Sequence, residues 1–174
     1  IYAQNGSNIK YSGTINVGNN TVAGTGVYIG TNSGVGSSVT LDNAIINLNG
    51  TGGIGVYVDN LSTLTFQANS IMNFSGDGVG IYGVQGAIIN DNGGVINSNG
   101  YAVERTRIQG GIININSNIN VSGGSILGHA VNGEINVLPG AVVTASGDDV
   151  IGIFGDGLKG AGTWTQTYEA NNLG

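Results

Sequence analysis

The side chains able to do chemistry are few and scattered. Asp148 and Asp149 stand together in SGDDVIGIFGDG at 146–157, and paired carboxylates can act as acid and base at a glycosidic bond. His129 is the one histidine, in GHA at 128–130, and the chain has no Cys. A zinc site built on it lacks the motif-spaced nitrogen, sulfur or carboxylate ligands that zinc takes. No Ser-His-Asp set follows from spacing. GDGLKGAG at 155–162 has the glycines of a phosphate loop without its full pattern and without a helix signal behind it. The expectation is therefore no catalytic residue, no metal and no cofactor. Asp148 and Asp149 read as a solvated corner, where aspartate is common, and His129 as a half-buried structural residue.

Aromatic and cationic side chains offer a different chemistry. Tyr28, Tyr57 and Tyr82 recur in matching contexts, and Glu104-Arg105-Thr106-Arg107 is the one concentration of charge. Tyrosine rings can stack on sugars or pack on protein. Tyr28, Tyr57, Tyr82, Arg105 and Arg107 are thus the candidate surface-binding residues. The plainer alternatives are a tyrosine cover that rigidifies one exposed face and a charged strand end that is simply solvated.

What positions these residues is a repeat. GTGVYIG at 24–30, GIGVYV at 53–58 and GVGIYG at 78–83 are close copies, and GYAVER at 100–105, GHAVNG at 128–133 and VIGIFG at 150–155 are looser ones. Their alignment puts Val27, Val56, Ile81, Val103, Val131 and Ile153 in one column, Gly or Ala before it, and Tyr28, Tyr57, Tyr82, Glu104, Asn132 and Phe154 after it. Between copies run apolar residues at spacing two, such as Val39 and Leu41, or Leu64 and Phe66, then a second apolar group and a glycine. Spacing two turns one side of a strand inward and the other outward. Gly and Asn tolerate the left-handed backbone of tight corners. A period of 22–29 residues with three short strands per period describes an all-β, right-handed parallel β-helix, a pectin-lyase-like solenoid of about six coils. The aliphatic column should face the core. The column that accepts Glu104 and Asn132 should face solvent, because an unpaired buried carboxylate is costly.

Composition supports this and narrows function. Of 174 residues, 34 are Gly, 24 are Asn, one is Pro and 8% are charged. So much glycine with 40% hydrophobics is neither disorder nor collagen, since one lacks the aliphatics and the other needs Gly at every third position. A net charge of −6 with four Lys and Arg argues against nucleic acid and anionic lipid as partners. No apolar run is long enough to cross a bilayer as a helix. A solenoid buries each coil against its neighbours and needs no disulfides. The Asn-x-Ser/Thr triplets at Asn5, Asn19, Asn49, Asn60, Asn73 and Asn120 have the form of glycan acceptors, but chance matches are expected in a chain this rich in Asn, Ser and Thr. Residues 1–174 read as one β-helix segment, opening in mid-pattern at Ile1, with 161–174 around Trp164 forming a cap or the start of the next coil.

The recurring GTGVYIG, GIGVYV and GVGIYG units, each followed by strand, turn and strand ending in Gly, resemble the passenger domain of Gram-negative autotransporters, in the style of large fusobacterial adhesins and vacuolating-toxin-like proteins. The resemblance covers about residues 9–160. It implies a piece of a much longer passenger, secreted and displayed at the cell surface, tethered only through a C-terminal outer-membrane barrel outside these residues. It implies an adhesin or stalk, not an enzyme, with a host or bacterial surface protein or glycan as partner, and solenoid ends able to self-associate. Two alternatives stand beside it. SGDDVIGIFGDG, GHA and RIQ resemble polygalacturonase motifs, but Arg107, His129 and Asp148 run in the reverse of that family's order. A toxin-like passenger that oligomerises at a membrane is the other.

Overall fold

In a computed structural model, residues 1–19, 21–122, 126–146 and 151–156 are described, with side chains for 1–19, 21–121 and 131–144. Asp148, Asp149 and residues 157–174, Trp164 among them, lie outside the described residues, as does the His129 side chain.

Short strands follow one another: β1 (Tyr2–Ala3), β2 (Asn8–Val17), β3 (Thr25–Ile29), β4 (Ser38–Leu48), β5 (Gly53–Val58), β6 (Thr63–Gln67), β7 (Ile71–Phe74), β8 (Gly78–Gly83) and β9 (Ile88–Asn92). Then come β10 (Val95–Asn97), β11 (Val103–Gln109), β12 (Ile112–Ile115), β13 (Ile119–Ser122), β14 (Ile126–Val131), β15 (Glu134–Val137), β16 (Val143–Ser146) and β17 (Ile151–Asp156). Each strand pairs, in parallel, with the strand one coil away. The first face stacks β1-β3-β5-β8-β11-β14-β17. The second and third share the long strands β2 and β4, which turn a corner in mid-course. Ser38–Leu41 of β4 pair with β6 and Ile45–Leu48 pair with β7. The second face continues through β9, β12 and β15, and the third through β10, with β13 and β16 forming a separate pair. The expected three-sided β-solenoid is the fold, with about five full turns between β3 and β16.

The core is one column per inward position. Leu41, Phe66, Asp91, Ile115 and Val137 follow one another on the second face, and Ile46, Met72 and Ile96 on the third. Phe66, Phe74, Leu41, Leu48 and Met72 are fully buried. Corners use left-handed backbone, mostly at Gly and Asn, including Asn5, Gly6, Gly86, Asn99 and Gly100. Leu61 is the exception: φ is 57° at a corner where the coils on either side carry Gly, and the residue is 56% exposed.

The register corrects the alignment of two repeat copies. Ile81 stands opposite Thr106, not Val103, and Thr106 opposite Gly128, not Val131. Both copies slide by three residues, while Ile153 stays in its expected column, opposite Gly128. Val103 is buried nonetheless, level with Gly78. The slide makes the coils more even, and it sets Tyr82, Arg107, His129 and Phe154 opposite one another in register. Matching Val103 and Val131 to Ile81 by residue type gives a different offset from the pairing. Coil length and the inward partner of Arg105 decide it.

Candidate functional site: the outer ladders and the Arg107 groove

The first face carries the tyrosines outward, as expected, and half-buries them. The ladder is longer than the sequence suggested. Tyr2 pairs with Tyr28, Tyr28 with Tyr57, Tyr57 with Tyr82, and Tyr82 with Arg107. In-register parallel pairing puts identical side chains one strand spacing, about 4.8 Å, apart. Ring centroids of Tyr2 and Tyr28 are 4.9 Å apart at 14°, and those of Tyr28 and Tyr57 are 5.5 Å apart at 5°. Tyr57 and Tyr82 meet edge-on at 87°. The Arg107 guanidinium lies 5.8 Å from the Tyr82 ring centre, within reach of a cation–π attraction.

This geometry changes what the ladder can do. A ring grips a sugar through its face, and the faces between Tyr2, Tyr28 and Tyr57 are turned to one another. The ladder offers solvent its edges and hydroxyls. Those are engaged too: the Tyr28 hydroxyl donates to Asp59 at 2.8 Å and the Tyr82 hydroxyl to Gln109 at 2.8 Å. The hydrogen bond to Asp59, with burial and the Asp59 charge, pushes the Tyr28 phenol up from 10.0 to about 12. Burial first, then Asp59, also raises Tyr57. In the folded chain Tyr28 keeps its proton where an unfolded tyrosine would lose it. Stability held by this group is complete below pH 10.0 and is lost as pH rises through about 12. The alkaline absorbance titration should show the Tyr28 phenolate appearing near pH 12, and Asp59→Asn should bring that step back toward the ordinary tyrosine range.

Arg105 and Arg107 are brought together in one strand and sent opposite ways. Arg107 remains outward, side chain 36% exposed, and forms an ion pair with Glu104. Arg105 is a correction: it is not on the surface. It occupies the position of Gly80, in a column that reads Gly26, Gly55, Gly80 in the preceding coils. Its side chain is 5% exposed and crosses the interior to Asp91, itself 1% exposed. Nε and Nη2 each donate at 3.0 Å to the two Asp91 oxygens, and Nη2 also reaches the Gly94 carbonyl. Asp91 accepts the Gly93 amide as well, and the guanidinium lies over the buried Phe66 ring. With Arg105 withdrawn, Tyr28, Tyr57, Tyr82 and Arg107 are what the candidate set leaves outside.

Sequence reasoning missed three features. Tyr2 had a signal, lying 26 residues before Tyr28, in a poorly matching first copy. Asp91 had none that spacing could supply, because its neighbours in the column are apolar. The third is a set of asparagine ladders. Asn47 donates to Asn16 at 2.8 Å, Asn73 to Asn47 at 2.9 Å and Asn97 to Asn73 at 2.8 Å along the third face. Asn114 and Asn136 continue such a ladder from Asn90 on the second face. Each follows an inward apolar residue, as in Ile46-Asn47 and Met72-Asn73. Stacked amides satisfy one another in parallel in-register sheets.

One concavity lies beside the ladder. A groove of about 290 Å³ runs between the corners at Thr51–Gly52, Asp77–Gly78 and Ala102–Glu104, with Arg107 along one side. On its rim the Asp77 carboxylate accepts the Ala102 amide at 2.9 Å, and Glu104 and Arg107 form their ion pair. Among the described residues no cluster of three His, Cys, Asp or Glu is placed to hold a metal. Comparisons with family models, with curated proteins and with solved structures give no match.

Proposed function

We propose that this chain is a stalk segment of a cell-surface adhesin of the autotransporter type, a rigid spacer that carries adhesive contacts outward. The observation that carries the reading is the self-satisfied outer surface. Tyrosine rings stack from coil to coil along the solenoid axis, with the Tyr28 and Tyr82 hydroxyls bonded to Asp59 and Gln109, and the asparagine ladders spend their amides on each other. Such a surface resists bending and can be lengthened coil by coil, which suits a spacer. Contact with a host or bacterial surface glycan or protein is assigned to the Asp77, Glu104 and Arg107 groove, where the ladders give way to a concavity. The absence of cysteine suits secretion as an unfolded chain, since no disulfide can form early.

The gene on either side of this segment tests the proposal. A secretion leader upstream and a downstream run of alternating strands of about ten residues each, as in an outer-membrane barrel, is the expected result. A reading frame that encodes the solenoid with neither would overturn it. The chain would then be screened for polysaccharide binding and cleavage.

A further inference from the structure

The strand pairing and the outer ladders share one break, and it falls well inside the chain. On the third face β10 pairs back to β7, and β13 pairs forward to β16. Among the described residues β10 and β13, successive strands of that face, do not pair with each other. The asparagine ladder stops at the same place, its last bond running from Asn97 to Asn73. The other two faces are continuous across these coils, through β8, β11 and β14 on the first and β9, β12 and β15 on the second.

The cause is the phase of the two strands. Asp91 and Ile115 stand opposite each other on the second face. Four residues later the chain reaches Val95 in one coil and Ile119 in the next. Val95 points outward, 43% exposed, and Ile119 points inward, 3% exposed. The inward residue of β10 is Ile96, one position further on, which packs against the core. An offset of one residue turns every side chain to the opposite face. A ladder in step with the second face would therefore set outward residues against inward ones. Each strand keeps instead the neighbour that shares its phase: Ile96 lies opposite Met72, and Ile119 opposite Val143.

Arg105 closes the break from inside. It stands on β11 of the first face, and its guanidinium grips Asp91 near the end of β9. Its Nη2 also donates to the carbonyl of Gly94, the residue before β10. One side chain thus ties all three faces of the coil that borders the seam. We propose that the seam between β10 and β13 is a one-sided joint, hinged on the continuous first and second faces and latched by Arg105, at which the solenoid opens along its third face. From β2 to β10 strand ladders on every face oppose such bending. At the seam only side-chain packing and the latch oppose it, and local opening falls where backbone pairing is thinnest. The joint follows from pairing and phase within the chain, whatever the segment carries outward.

The chain has no Cys, so pairs of nitroxide labels on introduced cysteines test the joint. Ser38 and Glu134 lie in one column of the second face, with Thr63, Ile88 and Ile112 between them. Ile45 on β4 and Val142 beside β16, 38% and 37% exposed, span the same coils along the third face and across the seam. Four strand spacings put each pair about 19 Å apart. By pulsed electron resonance, Ser38→Cys with Glu134→Cys should give one narrow distance distribution, and Ile45→Cys with Val142→Cys should add a longer component. Asp91→Leu with Arg105→Met removes the latch without leaving a buried charge unpaired. In that background the longer component should grow while the second-face distribution stays narrow. A third-face distribution as narrow as the second-face one in both backgrounds, a longer component indifferent to the latch, or equal broadening on both faces would each overturn the proposal. Should the double variant not fold, hydrogen exchange in the parent decides: the amides of β10 and β13 should open before those of β9 and β12, and opening of all four together would overturn it.

Discussion

Replacing Arg105 with Met is expected to cost about 3–5 kcal/mol of stability, the usual result of stripping one partner from a buried ion pair. The reason is Asp91, not the lost attraction. Asp91 is 1% exposed and level with Phe66 on one side and Ile115 on the other. Without the guanidinium its charge keeps only the Gly93 amide, and an uncompensated carboxylate in a dry interior is far costlier than a cavity. A second variant separates these terms. Asp91→Leu together with Arg105→Met removes both charges and extends the column of Leu41 and Phe66. It should recover most of the loss or exceed the parent, since well-packed apolar groups replace buried pairs at no cost or with a gain of about 1–4 kcal/mol. Urea midpoints at constant slope would report both changes. A single mutant that melts with the parent would mean that water reaches Asp91, against its burial in the structure.

The same pair shows where the fold was legible in the sequence and where it was not. The three strands per coil, the parallel stacking and the inward aliphatic column could be read because each is a local pattern repeated: Val27, Val56 and Ile81 are flanked by Gly and Tyr every time. Register in the later coils was not readable, because it depends on a contact across the interior. A sequence alignment rewards Val103 for resembling Ile81, and it has no way to credit Arg105 for reaching Asp91, fourteen residues back on a different face. The outward tyrosines were legible for the same reason as the core. Their ring-to-ring stacking, which withdraws their faces from any ligand, was not, because it depends on register within a fraction of a strand spacing. The asparagine ladders lay in view as Ile46-Asn47 and Met72-Asn73, but abundance hid them among asparagines that serve only corners. The groove at Asp77, Glu104 and Arg107 is assembled from corner residues of successive coils and has no signature in any one of them.

Gly55→Val should be the second severe lesion, with a loss of about 3 kcal/mol or more, the upper end of overpacking costs. In the glycine column Gly26, Gly55 and Gly80, a Cβ at each position would meet a backbone oxygen of the next coil within 3 Å. A Cβ at Gly55 would stand 2.5 Å from the Gly80 carbonyl oxygen and 2.6 Å from the Met72 sulfur. The thioether can swing away, but the oxygen belongs to the backbone of the adjacent strand. Relief therefore needs the coils to part, which breaks pairing between β5 and β8. Gly100→Ala provides the contrast, because nothing lies within 4 Å of its would-be Cβ while φ is +84°. Its cost is the left-handed backbone alone, about 1–2 kcal/mol, with no damage to pairing. Hydrogen exchange distinguishes the two: Gly55→Val should expose the amides of β5 and β8 together, whereas Gly100→Ala should lower stability and leave the pattern of protection unchanged. Equal and small effects at both positions would show that the coils can separate at this column without penalty, and the glycines there would then be corner residues like the rest.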